Sequence, residues 1–145
     1  MKMMLKLLAA GSAAIALSGC ETVAEVTQPT FNTVMNGAAE VPGPGDPDGT
    51  GRAEMHIVDA ADRICYEIWV QGLSSVTATH IHRGAAGVAG PPVITLESPT
   101  DGHSKECEDI DGSLADEIKA NPGAFYLNVH TTDYPNGAIR GQLTH

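Results

Sequence analysis

A period of two is the strongest constraint on this chain. Arg52 to Val58 sets Ala53, Met55 and Ile57 on one side and Arg52, Glu54 and His56 on the other, the pattern of a strand with one buried face. After a reversal at Asp59 to Arg63, Ile64 to Val70 is rich in β-branched and aromatic residues, which suit a pleated, half-buried surface. Further strands are expected at Phe31 to Asn36, Thr77 to Arg83, Pro92 to Glu97, Lys105 to Ile110, Phe125 to Thr131 and Ala138 to Leu143. Gly and Pro punctuate them, most densely in VPGPGDPDGTG, and Tyr134-Pro135-Asn136-Gly137 is a strong hairpin signal because Asn-Gly tolerates positive φ. One short helix is expected: Ser113 and Asp116 form a capping pair, Leu114 and Ile118 share a face, and Asn121-Pro122-Gly123 stops it. About eight strands and one helical turn predict an all-β sandwich or barrel.

The N-terminus reads as a processing signal rather than part of that fold. Lys2 and Lys6 precede the apolar and small run Leu7 to Leu17, which is about half of the ~20 residues that a spanning helix needs. Leu17-Ser18-Gly19-Cys20 then resembles a lipobox, which implies removal of residues 1–19 and lipidation of Cys20. Several acyl chains would anchor the product firmly, at about 0.8 kcal/mol per buried CH₂. Residues 20–30 are then a tether and 31–145 the domain. Glu21 is not the aspartate that typically retains a lipoprotein in the inner membrane, so the expected location is the cell envelope, with the outer membrane favoured.

Residues 1–19 hold two of the eight Lys and Arg and none of the eighteen acids, so processing leaves six bases against eighteen acids, a charge of −12. A surface of that sign repels phosphate backbones, and nucleic acid is not an expected partner. The expected partners are the membrane through its anchor, a metal ion, or another envelope protein. Two cysteines remain beyond Cys20. In an oxidising compartment Cys65 and Cys107 are expected to form a disulfide, the alternative being two free thiols or metal ligands.

The chemistry concentrates in Ala78-Thr79-His80-Ile81-His82-Arg83-Gly84. His80 and His82 lie two apart on an expected strand, so their side chains leave the same face, ~6.5 Å apart along the backbone. The alternation Phe125, Leu127, Val129 puts Tyr126, Asn128 and His130 on the outer face of another strand. If the two strands are neighbours, His80, His82 and His130 converge in a set that suits one copper or zinc ion. The competing reading is that these histidines only hydrogen-bond loop carbonyls. His56 is a weaker candidate as a fourth ligand, and His103 and His145 have no spacing argument. Asp46-Pro47-Asp48-Gly49 resembles part of a calcium loop but lacks the later bidentate glutamate.

Met35-Asn36-Gly37-Ala38-Ala39-Glu40-Val41-Pro42, the Gly-Thr-Gly that opens the second strand, Cys65-Tyr66, and His80-Ile81-His82-Arg83-Gly84 with Gly90-Pro91 resemble the motifs of the chordin-type (CHRD) domain. So do Asn128-Val129-His130-Thr131 and the segment from Pro135 to Leu143. They occur in family order over about residues 31–144. The resemblance implies an immunoglobulin-like, all-β Greek-key sandwich of the kind found in chordin and in many exported microbial proteins. A more distant likeness is to copper/zinc superoxide dismutase, with His80, His82 and His130 as copper ligands. Arg140 would then sit behind the ligands or steer an anionic substrate. Residues 83–95 contain no histidine, which leaves no bridge to a second metal and argues against a dinuclear dismutase.

No G-x-S-x-G turn supports nucleophilic catalysis. The expectation is a non-enzymatic, lipid-anchored envelope module with a copper or zinc site. Its alternatives are a copper-dependent oxidoreductase and a purely structural or adhesive domain.

Overall fold

A computed structural model describes residues 28–145. The expected signal peptide, Cys20 and most of the tether lie outside those residues. Among them no helix is long and apolar enough to cross a membrane.

The eight expected strands are all present: β1 Thr30–Asn36, β2 Thr50–Val58, β3 Arg63–Gln71, β4 Val76–Arg83, β5 Pro92–Leu96, β6 His103–Asp109, β7 Phe125–Thr131 and β8 Ile139–Gln142, with α1 Gly112–Ala120 between β6 and β7. They form one antiparallel sheet in the order β5-β4-β7-β8-β1-β2-β3-β6. β6 returns to β3 and β7 to β4, so neighbours in space are not neighbours in sequence, as in Greek-key folds. The sheet curls until its edge strands β5 and β6 approach each other, giving a nearly closed, barrel-like all-β domain. The two halves meet at β8 and β1, which share one register pair, Asn36 opposite Arg140, and the bridge Asn32–Thr144. Gly141 permits this approach, because a Cβ there would stand 2.3 Å from both Thr33 Oγ1 and the Val34 carbonyl oxygen.

The core is built by the residues that alternation assigns inward. Phe31 and Met35, then Ala53, Met55 and Ile57, then Ile64, Ile68 and Ile81, then Phe125, Leu127, Val129 and Ile139 are all buried. Fully burying one such large side chain contributes roughly 1.5–3 kcal/mol. Cys65 and Cys107 stand directly opposite each other on β3 and β6 and are joined by a disulfide. α1 starts two residues earlier than the capping pair implies. Asp111 is the N-cap, its carboxylate accepting from the backbone N–H groups of Ser113 and Leu114, while Ser113 lies inside the first turn. The Ser113 hydroxyl donates to the same carboxylate instead of capping the helix itself.

Candidate metal centre

β4 and β7 are hydrogen-bonded neighbours, with Ala78 opposite His130, His80 opposite Asn128 and His82 opposite Tyr126. His130 is thus diagonal to His80 on the same face, and His82 is one step further along. The three imidazoles converge, each offering one nitrogen, with these atoms all within 4.8 Å of one another. His80 Nδ1 and His130 Nε2 are 3.3 Å apart. That matches the separation of about 3.3–3.4 Å between two nitrogens bound at ~2.0–2.1 Å to one tetrahedral ion.

Backbone carbonyls fix two of the tautomers. His82 Nδ1 is 2.8 Å from the Gly90 carbonyl oxygen, and His130 Nδ1 is 3.1 Å from that of Pro135. A carbonyl only accepts, so both Nδ1 atoms carry the proton and both Nε2 atoms present a lone pair. His130 Nε2 therefore accepts from His80 Nδ1–H. His82 Nε2 is buried and has no partner.

Burial, then the neighbouring His130 and His82, holds the His80 imidazole below its usual range. Burial likewise lowers His82, with His130 and Arg140 adding to it against the opposing Gly90 bond. Both shifts favour the neutral, ligating form.

This face is not an open surface. β7 is buried on both sides: Tyr126 and Asn128 are each 3 % exposed, and Arg140 on β8 is 1 % exposed. A polar row runs across four strands through His80, Asn128, Arg140 and Asn36. Two loops roof it. In the segment after β4, the Gly84 and Ala85 carbonyls accept from Gln142 Nε2 and Arg140 Nη2, and Gly90 N–H donates to the Tyr126 hydroxyl. The segment after β1 brings in Glu40, whose two carboxylate oxygens accept from Asn128 Nδ2 at 2.9 and 3.0 Å. Burial raises the Glu40 carboxyl above its usual range, against the opposing pull of Asn128 and Arg140.

Arg140 therefore lies enclosed beside the site, two strands across from His80 in the same row. Its guanidinium stacks 3.4 Å from the Tyr126 ring centroid, and Tyr126 stacks in turn on His82 with centroids 4.8 Å apart. At 1 % exposure the Arg140 guanidinium offers no solvent-facing contact for an anionic substrate.

The other histidines stay apart from this cluster. His56 is on β2 opposite Cys65, His103 pairs with Glu67, and His145 packs near Phe31. Asp46 Oδ1 accepts from the backbone N–H groups of Asp48 and Gly49, so this residue closes a local turn. Sequence reasoning did not single out Glu40 or the carbonyls of Gly90 and Pro135. The available signal for Glu40 was an acid set among small and apolar residues in Gly37-Ala38-Ala39-Glu40-Val41-Pro42.

Residues 31–143 match the CHRD domain family. The chain belongs to that family. No curated protein and no solved structure gives a significant match.

Proposed function

We propose that this CHRD domain is a non-enzymatic envelope module, displayed on lipidated Cys20, that binds one copper or zinc ion through His80, His82 and His130. The observation that carries the reading is the state of the ligand nitrogens. Two carbonyls direct the His82 and His130 lone pairs to Nε2, and the His82 lone pair is buried with no donor to satisfy it. A buried acceptor left unpaired costs about 1–3 kcal/mol, which a bound cation would offset. The residues fit such an ion, since imidazole suits copper and zinc and the His80–His130 spacing already matches. When it binds, the proton on His80 Nδ1 must leave or move to Nε2. The bound ion would supply charge and an open coordination position.

The anchor reading rests on the lipobox-like Leu17-Ser18-Gly19-Cys20. β1 leaves the tether at Thr30, and Asn36, in the same cross-strand row as His80, is six residues on, about 20 Å of extended strand. The site would then face away from the membrane end of the domain.

The test is titration of the purified full chain with Cu²⁺ and Zn²⁺ beside a variant with His80, His82 and His130 all changed to Ala. One equivalent bound tightly by the wild type and lost in the variant is expected. Uptake by neither protein, or equal uptake by both, would refute the metal site. Lipidation is checked separately by labelled palmitate incorporation, which Cys20→Ser should abolish.

A structural role is the second reading, favoured by the same carbonyl bonds. His82 ties down the loop at Gly90 and His130 the turn at Pro135. Loss of stability in His82→Ala and His130→Ala, with no metal bound by the wild type, would establish it instead.

A further inference from the structure

The binding reading leaves open which ion and which oxidation state the site prefers, and the charges around it bear on that. The three ligands are neutral imidazoles, and the metal-ligating cluster contains no carboxylate. A metal ion held there keeps its full charge. The Arg140 guanidinium is a permanent positive charge in the same cross-strand row as His80. Arg140 is fully buried, and its hydrogen bonds run to neutral acceptors, the Ala85 carbonyl and the Gln142 amide oxygen. Its Nη1 has no partner. Two stacking contacts, 3.4 Å to Tyr126 and 4.8 Å from Tyr126 to His82, connect the guanidinium to a ligand ring. Among the described residues, Glu40 is the acid bonded into this polar layer, through Asn128, and it makes no hydrogen bond to Arg140.

A guanidinium stays protonated at any working pH, so its field acts on whatever ion occupies the site. It opposes a divalent ion twice as strongly as a monovalent one, and burial keeps salt from screening it.

Resting on the three-histidine site, we infer that the buried Arg140 guanidinium makes that site selective for monovalent copper over Cu²⁺ and Zn²⁺. The domain would thus hold copper in reduced form. Loading from Cu²⁺ takes one electron per ion from an external reductant, such as an enediol or a thiol, which is oxidised in turn, and no protein group changes oxidation state. Tyr126 is the spacer between charge and ligand. Its hydroxyl also bonds the Gly90 peptide group, whose carbonyl holds His82, so the stack and the ligand tautomer are set by one loop.

The experiment measures two affinities of the purified full chain. One is for Cu⁺, by competition with bicinchoninate under ascorbate without oxygen, and the other for Cu²⁺, by competition with glycine. Arg140→Gln should lower the ratio of Cu⁺ to Cu²⁺ affinity by tenfold or more, as expected for about one unit charge ~8 Å away at an effective dielectric constant near 20. Arg140→Lys, which keeps the charge, should hold the ratio within about threefold of wild type on the same argument. Glu40→Gln removes an opposing negative charge and should raise it. An unchanged ratio in Arg140→Gln, or a lowered one in Glu40→Gln, overturns the inference while leaving the metal site standing. Should Arg140→Gln fail to fold, as near-ultraviolet circular dichroism would reveal, the direction of the Glu40→Gln shift decides. Binding of neither ion by the wild type would remove the site itself and the inference with it.

Discussion

The two halves of the sheet carry the same alternation and treat their outer faces in opposite ways. On β1, β2 and β3 the outward side chains meet solvent. Val34 is 77 % exposed, and Arg52 lies over the Trp69 ring at 3.6 Å with Glu54 beside it. On β4, β7 and β8 the equivalent positions hold His82, Tyr126, Asn128 and Arg140, and all are buried. The difference comes from the loops. Those after β1 and β4 fold back over one half only, and they are held by Glu40, Arg140, Gln142 and Tyr126. Period two sets which way a side chain points. Whether that direction leads to water depends on what the loops cover.

The largest expected effect lies in the open half. No roof covers β3 and β6 there, and Cys65–Cys107 ties this edge across a sequence separation of 42. Closing a loop of that length contributes about 4 kcal/mol on the chain-entropy estimate. Urea denaturation of the Cys65→Ala/Cys107→Ala variant should show a loss of that order, and a loss below about 1 kcal/mol would mean that the edge is held mainly by its core contacts.

A paired substitution probes the contrast directly. Asn128→Ala strands the buried Glu40 carboxylate without its hydrogen-bond donor, and should cost roughly 2–3 kcal/mol. Asn32→Ala, at an exposed outward position on β1, should stay within about 0.5 kcal/mol of wild type. Equal losses at the two sites would erase the distinction between roofed and open halves.

The fold was largely legible because its determinants are local. Phe31, Met55, Ile64, Leu127 and Ile139 announce their faces through near neighbours in sequence, and Cys65 and Cys107 were the two cysteines left to pair. The candidate site was legible in part. His80 and His82 share a strand, so their common face follows from spacing alone. Their meeting with His130 depends on β4 pairing with β7 rather than with β3, which is a long-range choice that no local pattern encodes. The burial of Arg140 was not legible at all. An arginine on a polar face reads as exposed, and only the distant Ala85 carbonyl and the Tyr126 ring reveal that it is enclosed. Gly137 is similar. The hairpin signal accounts for its φ of +139°, but not for the Glu40 carboxylate that a Cβ there would meet at 2.4 Å.

The smallest effect, and the most specific to the roofed half, is a pH dependence that runs against acid denaturation. Burial raises the folded-state value of Glu40 above its ordinary 4.5. Between that value and the raised one the folded protein binds more protons at this site than the unfolded chain does. Stability therefore falls as pH rises through this window, by at most about 1.4 kcal/mol per pH unit, and Glu40 adds no slope outside it. The half-buried Glu67 and the exposed Asp111 pull the other way. Hydrogen bonds from Lys105 and His103 lower Glu67, and those from Ser113 and Leu114 lower Asp111, so their stabilisation is lost as pH falls. Subtracting the stability profile of Glu40→Gln from that of wild type isolates the one group. The difference should slope downward with rising pH from about 4.5, the unshifted value. An upward slope would mean that Asn128 and Arg140 stabilise the carboxylate by more than its burial costs. The polar layer beneath the three histidines would then be an ion pair in effect, with the field of Arg140 spent on Glu40 rather than on the ligands.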